Sequence, residues 1–229
     1  MAAIYAKLAE QAYKNTREDI GSYEYISGLS TRRIAVYQLR DMNEIVIAIR
    51  GTLIKDVNDW VSDAHIYDNT LFRDRTFQDV ERIVLSIIDQ LKGYRIVLTG
   101  HSLGGSTVVS LLNKYHELIS EVYAFGVGNG PREMAQNLTR SFGCNLPLLK
   151  NTKVCKDQKK IKSKLHIYTT GLDPISALSF SRGAQLVKPT NFNVHGLSNY
   201  TNMHGGSLYP SSVQRFYHPW DEPEKKQYY

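Results

Sequence analysis

Cysteine is scarce in this chain: Cys144 and Cys155 are the only two among 229 residues. Two cysteines cannot build a disulfide framework, and no Cys/His spacing typical of a metal site accompanies them. We therefore predict two free thiols and no bound metal. The folded state must then depend on a hydrophobic core, for which a hydrophobic content of 42% is sufficient.

Long hydrophobic runs are also missing. The longest strongly apolar run, IVIAI at residues 45–49, is far shorter than the roughly 18 residues that a membrane-spanning helix needs. The N-terminal stretch MAAIYAKLAEQAYKN carries Lys7, Glu10 and Lys14, whereas a secretory signal needs an unbroken apolar segment. This pattern is typical of an amphipathic surface helix. The sequence argues against classical secretion and predicts a cytoplasmic location by default.

Most of the chain has no net charge, and the surplus of positive charge is concentrated in one stretch. Residues 150–164 hold seven lysines and one aspartate, which equals the formal net charge of +6 of the whole chain. The stretch is either a solvated lysine-rich loop or a contact surface for anionic lipid or phosphate. No aromatic residue is interleaved to stack on bases, so no nucleic-acid partner is predicted. The lysines are Lys150, Lys153, Lys156, Lys159, Lys160, Lys162 and Lys164.

Strand and helix patterns alternate along the chain. RIAVYQL and EIVIAIR, separated by the polar turn RDMN, predict a β-hairpin, and YRIVLTG, EVYAFGV and LHIYTT predict further strands. Residues 76–91 and the stretch after YRIVLTG have helical periodicity. Alternating strands and helices indicate an α/β fold with a mainly parallel central sheet, covered by helices on both faces. We predict one domain over 1–229, with a basic insertion at about 141–165 and a polar tail from about 205.

One serine lies in a glycine-rich turn between a predicted strand and a predicted helix. Gly100, Ser102 and Gly104 fit the G-x-S-x-G pattern, which carries weight only in this strand–turn–helix context. A sharp turn there strains the serine backbone and directs its hydroxyl toward the carboxyl edge of the sheet. We predict Ser102 as a nucleophile and Leu103, the first helical residue, as a backbone N–H donor to an oxyanion.

A serine nucleophile needs a base, and the base needs a group that orients it. Asp173, directly after the predicted strand LHIYTT, is the candidate acid, and the alternative for this residue in isolation is the initiation of an Asp-Pro turn. His195 follows the acid on a predicted loop and gives the order Ser, Asp, His, with His204 as the alternative base. His101 lies inside the turn and is predicted not to reach its neighbour Ser102.

The strand EIVIAIR ends in a loop that can supply a second oxyanion donor. Gly51 lets the loop turn toward the nucleophile, and Thr52 can offer its backbone N–H. A serine, a histidine, an aspartate and two N–H groups suffice for acyl transfer, so no metal and no organic cofactor is predicted.

These pieces resemble the class 3 lipase family of α/β-hydrolases over roughly residues 30–205. The matching segments are IAIRGT, NDWVSDA, VLTGHSLGGS, YAFGVGNGP, GLDPIS and HGLSNY. In the family an aromatic follows the histidine by five residues, here Tyr200, and this favours His195 over His204. The resemblance implies hydrolysis of carboxylic esters, with acylglycerols or phospholipids as substrates. Where larger members carry a lid helix, this chain has only VSDAHIYDNTLFRD, so we expect an open site and little rate increase at a lipid interface.

The sequence thus predicts a serine ester hydrolase that works through an acyl-enzyme. Because the base must be a neutral imidazole, activity should fall as the pH drops through a histidine's ordinary pKa, near 6.5. Two alternatives stay open. A non-catalytic structural or binding protein could retain a lipase-like fold, and acyl transfer or thioester cleavage would use the same residues.

Overall fold

A seven-stranded sheet organises the described part of the chain. The computed structural model describes residues 2–51, 75–127, 144, 151–170, 173, 184–187, 189 and 195–201. Strands β1 to β3 are antiparallel and β3 to β7 are parallel, with neighbours in chain order. The predicted mainly parallel α/β sheet is confirmed. The strands are β1 (Glu24–Tyr25), β2 (Ile34–Leu39), β3 (Glu44–Ile49), β4 (Arg95–His101), β5 (Glu121–Phe125), β6 (Leu165–Thr170) and β7 (Gln185–Val187).

The predicted hairpin is formed by β2 and β3. Its register places Ile34 opposite Ile49 and Leu39 opposite Glu44. A short 3₁₀ turn, Arg40–Met42, connects the strands and ends at Asn43, which adopts the left-handed conformation with φ of +49°. Asparagine tolerates this backbone region better than most residues, which explains the tight connection.

Helices cover both faces of the sheet, as predicted. They are α1 (Ala2–Gln11), α2 (Arg75–Gln90), α3 (Leu103–Tyr115), α4 (Lys153–Lys164) and the short α5 (Ser198–Thr201). The alternation within β3 separates two buried clusters: Ile45 and Ile47 lie in the cluster that includes α2 and α3 residues, and Val46 and Ala48 lie in the one that includes α1 residues. In the described part of the chain, no helix has both the length and the apolar character needed to cross a bilayer.

Charged residues begin three neighbouring strands and fix their register at the edge opposite the nucleophile turn. Arg95 pairs with Glu44 and with Glu121, the second contact being 2.7 Å. The Glu44 side chain is almost fully buried and also accepts hydrogen bonds from the hydroxyls of Tyr5 (3.1 Å) and Tyr23 (3.0 Å). A buried carboxylate needs such partners because desolvation otherwise disfavours its charge.

Residues Lys153–Lys164 of the lysine-rich stretch form a helix, which corrects the prediction of a loop. Helix α4 lies in the connection between the parallel strands β5 and β6, and Thr152 caps it by accepting a hydrogen bond from the Cys155 N–H. Its sequence has almost no apolar period, because Ile161 is the only strong hydrophobe on its packed side. The spacing of hydrophobic residues therefore could not predict this helix.

The prediction of two free thiols is wrong. Cys144 and Cys155 form a disulfide across a sequence separation of 11 residues, and this bond holds residue 144 against the first turn of α4. Two cysteines in a chain give no spacing pattern, so their proximity depends on how the crossover folds.

Candidate active site

Ser102 occupies a strained turn between β4 and α3. Its φ is +59° and its ψ is −126°, a region that a residue with a Cβ adopts only when its surroundings hold it there. The Ser102 N–H donates to the carbonyl of Phe125 (2.9 Å), and its own carbonyl accepts from the N–H of Ser106 (2.9 Å). Hydrogen bonds to β5 on one side and to α3 on the other therefore hold the turn in place.

The two flanking glycines allow the backbone to close up around this turn. A Cβ on Gly100 would lie 2.5 Å from the carbonyl carbon of Gly104. A Cβ on Gly104 would overlap the carbonyl oxygen of Ile49 and lie 2.9 Å from the Gly51 nitrogen. No side chain fits at either position, so the pattern G-x-S-x-G is required by packing. The same contacts bring the end of β3 against the start of α3.

Asp173 and His195 are in direct contact. The His195 Nδ1 lies 2.7 Å from the Asp173 Oδ2, although 22 residues separate them. A carboxylate oxygen only accepts, so Nδ1 carries the proton and Nε2 is the basic nitrogen of the neutral ring. Asp173 is fully buried just beyond the end of β6, and its N–H donates to the Thr170 carbonyl (3.0 Å). A buried acid thus fixes the orientation and the tautomer of the imidazole.

The His195 ring lies at the strand end next to the serine turn. In the parallel pair β4–β5, His101 is opposite Phe125, so Ser102 and Gly126 are the residues that directly follow the two strands. A Cβ on Gly126 would lie only 3.1 Å from His195 Cε1, and Gly126 adopts a φ of +55°. The structure therefore brings Ser102, Asp173 and His195 to the carboxyl edge of the sheet.

The predicted oxyanion donors are only partly described. Leu103 is the first residue of α3, so its N–H belongs to the first turn, which has no partner within the helix ladder. Thr52 lies outside the described residues, as do His204, Lys150 and the segment VSDAHIYDNTLFRD. Their roles stay predictions.

The sequence did not predict two side-chain contacts at the site, those of Tyr13 and of the His101 ring. His101 is 8% exposed, and its Nε2 lies 2.7 Å from the backbone carbonyl oxygen of His195. Burial, and next the charge of His195, lowers the pKa of His101 to about 3. Burial also raises the pKa of Tyr13 to about 12. The motif marks His101, but no local pattern marks Tyr13, which lies 88 residues earlier.

One cluster of potential metal ligands occurs among the described residues, away from the serine turn. Ligand atoms of His116, Glu117 and Asp157 lie within 4.8 Å of one another. Lys160 Nζ is 3.1 Å from Glu117 Oε1 and already supplies a cation there. His116 directly follows α3 and is thus at the opposite end of that helix from Ser102, so this cluster is separate from the site.

A parallel sheet with a strained serine turn after a central strand defines an α/β-hydrolase fold. The family model of lipase (class 3) matches residues 64–182, which is 119 of 229 residues and just over half of the chain. The chain belongs to the class 3 lipase family and is a lipase-like ester hydrolase by that membership. The comparison with curated proteins gives no match.

Solved structures of fungal lipases match this chain, and the first of them has a similar fold. Lip2 lipase from Yarrowia lipolytica is 19% identical with a TM-score of 0.51, and the match covers 86% of this chain and 81% of that one. A mutant of MDLA from Penicillium cyclopium is 16% identical with a TM-score of 0.45, covering 86% and 82%. Rhizomucor miehei lipase in its propeptide complex is 16% identical with a TM-score of 0.43, covering 77% of this chain and 63% of that one, less than two thirds of its length.

Proposed function

We propose that this chain hydrolyses carboxylic esters, with Ser102 as the nucleophile, His195 as the general base and Asp173 as the group that orients the base. The observation that carries the proposal is the 2.7 Å contact between His195 Nδ1 and Asp173 Oδ2, beside a strained serine turn. This arrangement supplies a weak nucleophile with a base of fixed tautomer, which is what a serine hydroxyl needs to react.

The reaction follows from these roles. Ser102 Oγ attacks the ester carbonyl while His195 Nε2 takes its proton, and Asp173 stabilises the imidazolium that forms. N–H groups of Leu103 and Thr52 receive the developing oxyanion. The tetrahedral intermediate then collapses, His195 gives its proton to the leaving alcohol, and an acyl-enzyme remains. Water attacks that ester with His195 again as the base, which releases the carboxylic acid. No step of this route uses a metal or an organic cofactor.

Acylglycerols and phospholipids are the proposed substrate classes, because the chain belongs to a lipase family. The preference for acyl chain length can be measured as kcat/KM on a series of p-nitrophenyl esters whose acyl chains increase in length. An open site predicts a smooth dependence on substrate concentration, and a steep rate increase at the critical micelle concentration would contradict it.

Labelling by a fluorophosphonate probe tests the nucleophile. Ser102→Ala should abolish labelling and lower kcat by at least about 1,000-fold. Ser110→Ala is the matched control, because it removes another buried hydroxyl from α3, two turns further on, and it should label like the wild type. Equal labelling of the wild type and Ser102→Ala would overturn the assignment. A folded wild type that neither labels nor hydrolyses esters would indicate a non-catalytic lipase-like fold.

We also propose that α4 contacts anionic lipid surfaces. Five of its lysines are exposed, and Lys164 is instead turned inward onto backbone carbonyls. Exposed ammonium groups attract anionic lipid by about 1 kcal/mol for each lysine near the surface. The exposed lysines are Lys153, Lys156, Lys159, Lys160 and Lys162.

Vesicle binding tests this contact. Phosphatidylcholine vesicles with phosphatidylserine should bind the wild type, and those without it should not. The double variant Lys156→Glu with Lys159→Glu should lose this binding, whereas Lys7→Glu with Lys92→Glu changes the net charge equally and should retain most of it. Equal binding of both double variants would contradict a specific role of α4.

A further inference from the structure

His101 links the serine turn directly to the backbone of the proposed base. His101 directly precedes Ser102, and its Nε2 lies 2.7 Å from the backbone carbonyl oxygen of His195. The centroids of the His101 and His195 rings are 4.8 Å apart. We infer that His101 is a positioning residue, which holds the His195 backbone at a fixed distance from the nucleophile. This inference rests on the proposed function and adds a residue to it.

The direction of this hydrogen bond follows from its acceptor. A carbonyl oxygen cannot donate, so His101 Nε2 must carry the proton and Nδ1 must be the unprotonated nitrogen of a neutral ring. The ring is buried between the end of β4 and the His195 backbone, where a positive charge would be poorly solvated. His101 therefore has a fixed tautomer and does not compete with His195 for protons in the ordinary working range of pH.

Tyr13 holds the other side of the His101 ring. The Tyr13 hydroxyl oxygen is 3.4 Å from His101 Nδ1 and 3.2 Å from the His101 carbonyl oxygen, both of which are acceptors. The same oxygen accepts the Gly51 N–H at 3.0 Å. Tyr13 thus connects the loop that begins after β3 to the serine turn, and His101 continues the connection to His195.

The link matters because the proposed base stands on a loop. His195 lies in a turn just before α5, and α5 packs against α1. The Asp173 contact fixes the imidazole ring, and the His101 contact fixes the backbone from which that ring extends. A displacement of about 1 Å between reacting groups can cost about 100-fold in rate, so both constraints affect kcat.

Two substitutions at position 101 separate hydrogen bonding from packing. In His101→Gln the amide nitrogen can reach the place of Nε2 and still donate to the His195 carbonyl. In His101→Asn the shorter side chain puts its amide near the place of Nδ1 and cannot reach that carbonyl. We expect the Gln variant to stay within about 5-fold of wild-type kcat and the Asn variant to lose about 100-fold, with KM within about 2-fold of wild type in both.

The outcomes discriminate between the two levels of the proposal. Near-wild-type kcat in His101→Asn, or equal losses in both variants, would overturn the positioning role while wild-type labelling at Ser102 still supports the hydrolase. Failure of the wild type itself to label or hydrolyse would overturn the proposed function instead.

A measurement on the unmodified protein decides the question if His101→Asn does not fold. Long-range ¹H–¹⁵N NMR of the histidine rings distinguishes the two neutral tautomers and the imidazolium. We expect His101 to show a protonated Nε2, an unprotonated Nδ1 and no titration between pH 5 and 9. A protonated Nδ1 or titration of His101 in that range would overturn the inference.

Discussion

Gly126 lies against the imidazole of His195, because a Cβ built on it would be 3.1 Å from His195 Cε1. The same Cβ would be 3.2 Å from His101 Nε2. Gly126 also has a φ of +55° and directly follows β5. The space that the proposed base occupies therefore depends on the lack of a side chain at this strand end.

Substitution of Gly126 by alanine should lower activity more than stability alone explains. The new methyl group pushes on both histidine rings, so we expect kcat to fall by about 10- to 100-fold. Gly21→Ala is the matched control: its φ is +60°, but nothing lies within 4 Å of its would-be Cβ. In both variants alanine must adopt a left-handed backbone conformation, which should lower the free energy of unfolding by about 1 kcal/mol. Urea unfolding measures this loss. Unchanged kcat in a folded Gly126→Ala protein would contradict the placement of His195.

The buried neutral ring of His101 should make the protein less stable in mild acid. Burial lowers its pKa to about 3 in the folded state, whereas an unfolded histidine titrates near 6.5. Between these values the unfolded state binds more protons, so stability is complete above about pH 6.5 and is lost as the pH falls toward 3, by at most about 1.4 kcal/mol per pH unit.

His101→Gln isolates this contribution, because carboxylates and other histidines titrate in both proteins. The free energy of unfolding from urea titrations between pH 7 and 4 should fall more steeply in the wild type than in the variant. Parallel slopes would show that His101 is not a buried neutral group.

The disulfide predicts the thiol content of the folded chain. Unreduced protein, denatured in the presence of a thiol reagent, should show no reactive thiol, and reduced protein should show two from Cys144 and Cys155. Replacing both cysteines by serine should destabilise the fold by about 2 to 3 kcal/mol, since the bond closes a loop of about a dozen residues. Two reactive thiols before reduction would contradict the bond. A stable disulfide favours an oxidising compartment over the cytoplasmic default.

Lys164 should stabilise the C-terminal end of α3. Its Nζ donates to the carbonyl oxygens of His116 (2.5 Å) and Ile119 (2.9 Å), which lie at and beyond the helix end. A cation there satisfies backbone acceptors and complements the helix dipole. We expect Lys164→Met to cost about 1.5 to 3 kcal/mol of unfolding free energy. The control Lys162→Met removes an exposed lysine from α4, the helix that also contains Lys164. Its free energy of unfolding should stay within about 0.5 kcal/mol of wild type. Equal effects would contradict the capping role.

Much of the fold was predictable because its signals are local. The continuous apolar run of β3 and the apolar face of α2 are patterns within short stretches, and the strand and the helix that they predict are both confirmed. β1 and β7 were missed, since strands of two and three residues are too short to show a period. Helix α4 was missed because lysines occupy half of its positions and leave no apolar period.

The sequence by itself determined the strained serine turn, because the turn's chemistry lies within five consecutive residues and only glycine fits two positions before and two positions after Ser102. The tertiary structure decided the rest of the site and the disulfide. His195 meets Asp173, and His101 meets the His195 carbonyl 94 residues away, only because parallel strands end at one edge of the sheet and carry their loops to the same place. Contacts of that separation are set by packing, and no spacing along the chain encodes them.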